Sequence, residues 1–174
     1  MSTSQKKAAI MTNDFILLKA VPATREALRP FGDLIQADGA DSFLINNGTT
    51  ERMNALAKAE TGEGDAIISI FRGQPFEPPV SIFMMERHPL GSQAFFPLQN
   101  APWLAVVAAD EDGVPGPPQA FLLNGNQGIQ YNRNVWHHPL ISMERVSDFL
   151  VVDRQGEGNN LEECDYAKAY QVTL

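Results

Sequence analysis

The amino-acid sequence predicts an all-β domain, a sandwich or barrel, on three observations. Short apolar runs recur along the chain, each bounded by Gly, Pro, Asn or Asp, the pattern of strands closed off by turns. Helical spacing surfaces in only two short stretches. The runs do not alternate with long helices, which disfavours a doubly wound parallel sheet.

Taken in order, strands are expected near residues 15–21, 33–35, 43–46, 66–71, 80–88, 93–97, 103–109, 120–123, 129–133, 137–141 and 145–153. A first helix is expected over 23–29, entered after Pro22 and left before Pro30, where the chain cannot stay helical. A second is expected over 49–58, with Thr49 as cap and Arg52, Ala55, Leu56 and Ala59 at helical spacing. Pro78-Pro79 and the stretches 115–118 and 124–128 continue neither helix nor ladder and read as loops. Residues 1–13, small and polar, read as a flexible leader, 14–165 as one domain, and 166–174 as a tail. The acidic, glycine-rich stretch 155–165 reads as a solvated loop.

A length of 174 residues suits one domain. The 13 basic and 21 acidic residues give a net charge of −8. Such a surface does not neutralise phosphates, so neither duplex nucleic acid nor a membrane is an expected partner. Cys164 is the one cysteine, which rules out an intrachain disulfide. The apolar stretch 8–11 is too short for a signal-peptide core. No run approaches the roughly 18 apolar residues of a membrane span, and a cytoplasmic location is expected.

The 3 histidines fall in two segments, Glu86-Arg87-His88-Pro89-Leu90-Gly91-Ser92-Gln93 and Tyr131 through Pro139. Strand residues two apart share a face, so Glu86 and His88 point the same way. A hairpin turn at Pro89–Ser92 would lay Gln93 opposite them. On the later strand Arg133, Val135 and His137 share one face, with Trp136 and His138 on the other. Glu86, His88, Gln93 and His137 are therefore expected to converge inside a barrel. This resembles the two-motif pattern of the cupin superfamily, His-x-His, three or four residues, then Glu, with a further His downstream. Here Glu86 stands for the first His and Gln93 for the Glu. Gln is a weaker, neutral ligand, but a Glu and two His with open positions suit an octahedral divalent ion such as Ni, Mn or Fe.

Longer stretches closely resemble the ureidoglycolate lyase family. They are Phe31-Gly32-Asp33-Leu34-Ile35; Ile45-Asn46-Asn47-Gly48 with Glu51-Arg52; Glu86 through Phe95; Asn124-Gly125 through Gly128; and Asn134 through Leu140. Val146-x-Asp148-Phe149-Leu150 and Asp153-Arg154 extend the likeness, which runs collinearly over roughly residues 15–165. The resemblance implies a cupin-like double-stranded β-helix, a homodimer, and cleavage of (S)-ureidoglycolate to glyoxylate and urea. It also implies a divalent metal, most often nickel.

Such a substrate is a carbinolamide, and its cleavage needs a base for the hydroxyl proton and an acid for the departing nitrogen. His137 and Glu86 are the candidates for base, with His88 as ligand or acid. The substrate carboxylate calls for an arginine fork, from Arg72 or Arg133. Asn46, Asn47 and Gln93 offer donors and acceptors for the urea end. Each has a plainer alternative: Arg72 and Arg133 as surface or interface groups, Asn46-Asn47-Gly48 as a turn, His138 as a structural side chain. Two other functions compete: a cupin isomerase or dioxygenase, and a non-enzymatic small-molecule binder. Urea release, rather than ammonia, is the expected outcome.

Overall fold

The computed structural model describes residues 14–174; the expected leader, 1–13, lies outside them. Its organising feature is the strand Trp103–Ala108, buried along its whole length. Alternation sends Trp103, Ala105 and Val107 into one core, while Leu104, Val106 and Ala108 enter a second. A strand covered on both faces reads as a continuous apolar run, as this one does.

Trp103–Ala108 lies within a nine-stranded sheet, and a five-stranded sheet faces it. The facing sheet runs Gly32–Ile35, Gly128–Tyr131, Gln93–Pro97, Ser147–Gln155, Asp65–Gly73. Phe95, Ile129, Tyr131, Phe149 and Val151 from this sheet pack against Trp103, Val107, Phe121 and Leu123 from the other. Two facing sheets around one interior give a cupin-like β fold. The second core holds Val80, Ile82, Met85, Trp136, Ile141 and Val172.

The helix expected over 23–29 is present as Arg25–Leu28, capped by the Thr24 side chain on the Ala27 N–H. The helix expected over 49–58 does not form. Asn46, Asn47 and Gly48 all take positive φ, the chain reverses, and Thr50–Met53 pairs back on Ser42–Ile45. Ser42 donates to Glu51 across this hairpin, and Arg52 lies over the Phe43 ring. Cross-strand partners outweigh the weak helical spacing, and Ala55, inside the expected helix, itself has positive φ. The supposed tail also differs: Glu162–Thr173 is a long strand between Val80–Arg87 and Ile16–Lys19. Its charged residues hid an alternation in which Val172 and Tyr170 reach the second core.

One strand-to-strand contact beside Tyr131 is very tight. Gly32 pairs with Tyr131, and a Cβ at position 32 would stand 1.8 Å from the Gln130 carbonyl oxygen. Gly32→Ala is expected to cost about 3 kcal/mol, the upper end of the usual range for overpacking. A thermal melt should show a fall of roughly 6–12 °C for a chain of this length.

Candidate active site

On Val80–Arg87, Met85 enters the second core and the next residue, Glu86, turns to the opposite face; its direct antiparallel neighbour is His137. His137 also pairs with Val107, so it enters the space between the sheets, while Trp136 turns to the second core beside Ala108. Strand alternation thus separates His137 from Trp136 as the spacing implies. His88 follows directly after Arg87. The segment Pro89–Ser92 is not a hairpin: it carries the chain from the nine-stranded sheet into the facing one. Gln93 therefore meets His88 across the interior rather than along a ladder.

The ligand atoms of Glu86, His88 and His137 lie within 4.8 Å of one another. Glu86 Oε1 is 3.5 Å from His137 Nε2 and 3.7 Å from His88 Nε2. His137 Nδ1 donates to the Val135 carbonyl at 2.9 Å. His137 Nε2 faces the Glu86 carboxylate, buried and without a hydrogen-bond partner. His88 Nδ1 donates to the Asn160 carbonyl at 2.7 Å, and Nε2 lies 3.1 Å from Gln93 Oε1. Backbone carbonyls thus fix both ring orientations, as around metal-binding histidines. Acceptor atoms converge where only a proton or a cation can reconcile them. These residues fit a divalent ion held by Glu86 Oε1, His88 Nε2 and His137 Nε2, with Gln93 Oε1 alongside.

Burial opposes ionisation of Glu86, but His137 and His88 outweigh it and hold its carboxyl at about 2. Burial likewise works against a charged His88, and the Glu86 carboxylate together with the Asn160 carbonyl raises it above its ordinary value. The signs follow by linkage. The contribution of Glu86 to stability is full above its ordinary 4.5 and is lost as pH falls toward 2. That of His88 is full below its ordinary 6.5 and is lost as pH rises through the raised value. Urea-unfolding midpoints of the metal-free protein should therefore pass through a plateau between these limits, and Glu86→Gln should flatten both sides.

The remaining expected residues are more scattered. Arg133 lies in the turn after Gly128–Tyr131, where Asn134 takes positive φ, and so does not share a strand face with His137. Its Nε donates to the Pro89 carbonyl, and with Leu90 and Arg154 it lines a cavity of about 350 Å³. Arg72 faces outward: Phe71 and Phe149 occupy the inner side, and Arg72 binds Asp148 through two bonds of 2.7 and 2.9 Å. Asn46 and Asn47 sit at an exposed hairpin tip, with Asn46 bonded to Thr50. His138 donates Nδ1–H to the Pro139 carbonyl, and burial lowers its pKa.

Two side chains at the cluster were not anticipated. Tyr131 stacks on His137 at 4.2 Å and 12°, and burial with the nearby Glu86 charge raises its pKa. Asp153 accepts from Gln93 Nε2 at 3.3 Å. The alternation Phe149, Val151, Asp153 was the available signal, since it runs a carboxylate along an inward face.

The sequence profile described as Ureidoglycolate lyase matches residues 15–173. Ureidoglycolate lyase 1 of Rhizobium meliloti is 56% identical over 158 residues, covering 90% of this chain and 93% of its own. Ureidoglycolate lyase of Rhizobium etli (strain CIAT 652) is 60% identical over 153 residues, 87% of this chain and 92% of its own. That of Brucella anthropi is 57% identical over 144 residues, 82% and 85% of the two chains. A solved 3,4-ketoisomerase from Helicobacter canadensis superposes with a TM-score of 0.42 at 15% identity, covering 72% of this chain and 84% of its own. On the profile match and these identities, the chain belongs to the ureidoglycolate lyase family.

Proposed function

We propose that this protein cleaves ureidoglycolate to glyoxylate and urea, with Glu86 moving the proton and His88, His137 and Gln93 forming the rest of the site. The observation that carries the reading is the convergence of Glu86 Oε1, His88 Nε2 and His137 Nε2, with one buried ring nitrogen unpartnered, in a chain of this family. The substrate carbon bears a hydroxyl, a carboxylate and the urea nitrogen. Glu86, ionised at neutral pH, takes the hydroxyl proton; the C–O bond becomes the aldehyde carbonyl as the C–N bond breaks. The same carboxyl then returns the proton to the departing nitrogen, which leaves as urea. When bound, a divalent ion at this cluster, nickel on family resemblance, lowers the pKa of the hydroxyl. Tyr131 keeps the His137 ring in place by stacking on it.

Arg133 is the group assigned to the substrate carboxylate, because Arg72 is turned outward and already paired. A charge-assisted hydrogen bond contributes about 1.5–3 kcal/mol, so Arg133→Ala should raise KM roughly 10–100-fold with a smaller effect on kcat. An unchanged KM would reassign the carboxylate. A homodimer would cover Ile68 and Ile70, which are 72% and 54% exposed on the outer face of the edge strand Asp65–Gly73. Light scattering of the full chain tests that.

The reaction itself is tested by incubating the protein with racemic ureidoglycolate in a urease-free assay. Glyoxylate and urea in equal amounts, from one enantiomer, are expected. Ammonia as the first product would mean attack at the ureido carbonyl instead.

A further inference from the structure

We infer that Asp153 is a positioning residue, which sets the orientation of the Gln93 amide and thereby makes a neutral glutamine an oxygen donor to the cluster of Glu86, His88 and His137. The inference rests on the metal reading of that cluster. Ser147–Gln155 and Gln93–Pro97 pair antiparallel, with Val151 opposite Phe95 and Val152 opposite Ala94. The next step of the same register sets Asp153 opposite Gln93. Both side chains continue the inner row of Phe95, Phe149 and Val151, so the only polar pair of that row falls at the cluster.

An amide has two orientations of nearly equal shape and opposite chemistry. A carboxylate only accepts, so Gln93 must turn Nε2 toward Asp153 Oδ2, 3.3 Å away. Oε1 is then held facing His88 Nε2 at 3.1 Å. In the other orientation an NH2 group, which donates and does not ligate, would face the lone pairs of the cluster. Asp153 has no second structural duty among the described residues: its Oδ1 is buried and unpartnered. A buried acceptor without a partner costs stability, so Asp153 is poorly explained as a stabilising group. The pair also accounts for the glutamine. A glutamate at 93 would set a second carboxylate directly beside Asp153, where like charges cannot both be accommodated. The negative charge has in effect moved one hydrogen bond outward from the cluster.

The test is calorimetric titration of Ni²⁺ and Mn²⁺ into metal-free protein, with a melting curve for each variant. Asp153→Asn can present either a donor or an acceptor to Gln93 and so releases the amide. Its ion affinity should fall about 10–100-fold, the usual effect of losing a group that orients a ligand, while its metal-free melting temperature stays level or rises. In a Gln93→Ala background, Asp153→Asn should have no further effect. Gln93→Glu alone should also weaken binding, and the double change Gln93→Glu/Asp153→Asn should restore it, because the new amide can donate to the introduced carboxylate. Binding by Asp153→Asn within twofold of the unaltered protein overturns the inference, as does an equal loss with and without Gln93. A lower metal-free melting temperature for Asp153→Asn does so too, by making Asp153 structural. Unaltered protein that takes up neither ion overturns the metal reading itself, and this inference with it.

Discussion

Glu86→Gln should reduce the initial rate of glyoxylate formation by roughly 10²–10⁴-fold, the range for removing a group that transfers the reacting proton. The substitution keeps the shape of the side chain and removes its charge, its basicity and the anionic ligand it offers the cluster. Folding should survive it, because an amide can donate or accept and so can hydrogen-bond to His137 Nε2, which has no partner in the native arrangement. Burial favours the neutral side chain as well; the carboxylate is ionised only because His137 and His88 face it. Loss of activity with an unchanged or raised melting temperature is therefore the expected combination. The measurement is a progress curve with saturating substrate and added Ni²⁺ or Mn²⁺. A loss of less than tenfold would remove Glu86 from the proton transfer, and attention would pass to His137.

Trp103→Ala should destabilise the protein by about 3–5 kcal/mol, as large aromatic truncations in closed cores do. Trp103 is 1% exposed and stands edge-on to Phe149 of the facing sheet at 5.2 Å. Its indole N–H donates to the Gln127 carbonyl at 2.9 Å, so truncation leaves both a void and an unpaired acceptor. Against a total stability of about 5–15 kcal/mol, this is a large share. The melting temperature should drop by roughly 6–20 °C. Trp103→Phe keeps the aromatic contact and should cost much less. A loss of under 1 kcal/mol for the alanine variant, read from urea-unfolding midpoints, would show that the two sheets do not depend on this contact.

The structure is legible in the sequence where apolar runs are bounded by turn residues. Trp103–Ala108, Val80–Arg87 and Gln93–Pro97 fall where their apolar runs put them, and the i, i+2 spacing of Glu86 and His88 sends both inward. Alternation says which residues share a face but not which face looks inward. Arg72 illustrates this: its strand was foreseen, yet only pairing with Ser147–Gln155 turns Phe71 inward and Arg72 to solvent. Hairpin formation by Ser42–Ile45 and Thr50–Met53 depends on partners that a helical count along one segment does not include. Glu162–Thr173 was hidden for the same reason, since its apolar residues are interleaved with charge and gain meaning only beside Val80–Arg87.

The amino-acid sequence by itself determined an all-β domain, the family likeness, and the identity of the acceptors Glu86, His88, Gln93 and His137. These are properties of residue type and local spacing, which need no knowledge of distant contacts. Tertiary structure alone decided that Pro89–Ser92 crosses between sheets, that Tyr131 stacks on His137, and that Asp153 holds Gln93. Each of these joins residues far apart in the chain or on opposite sheets. Their geometry is set by which strands pair and by which face each strand turns to the interior, and neither is a local quantity.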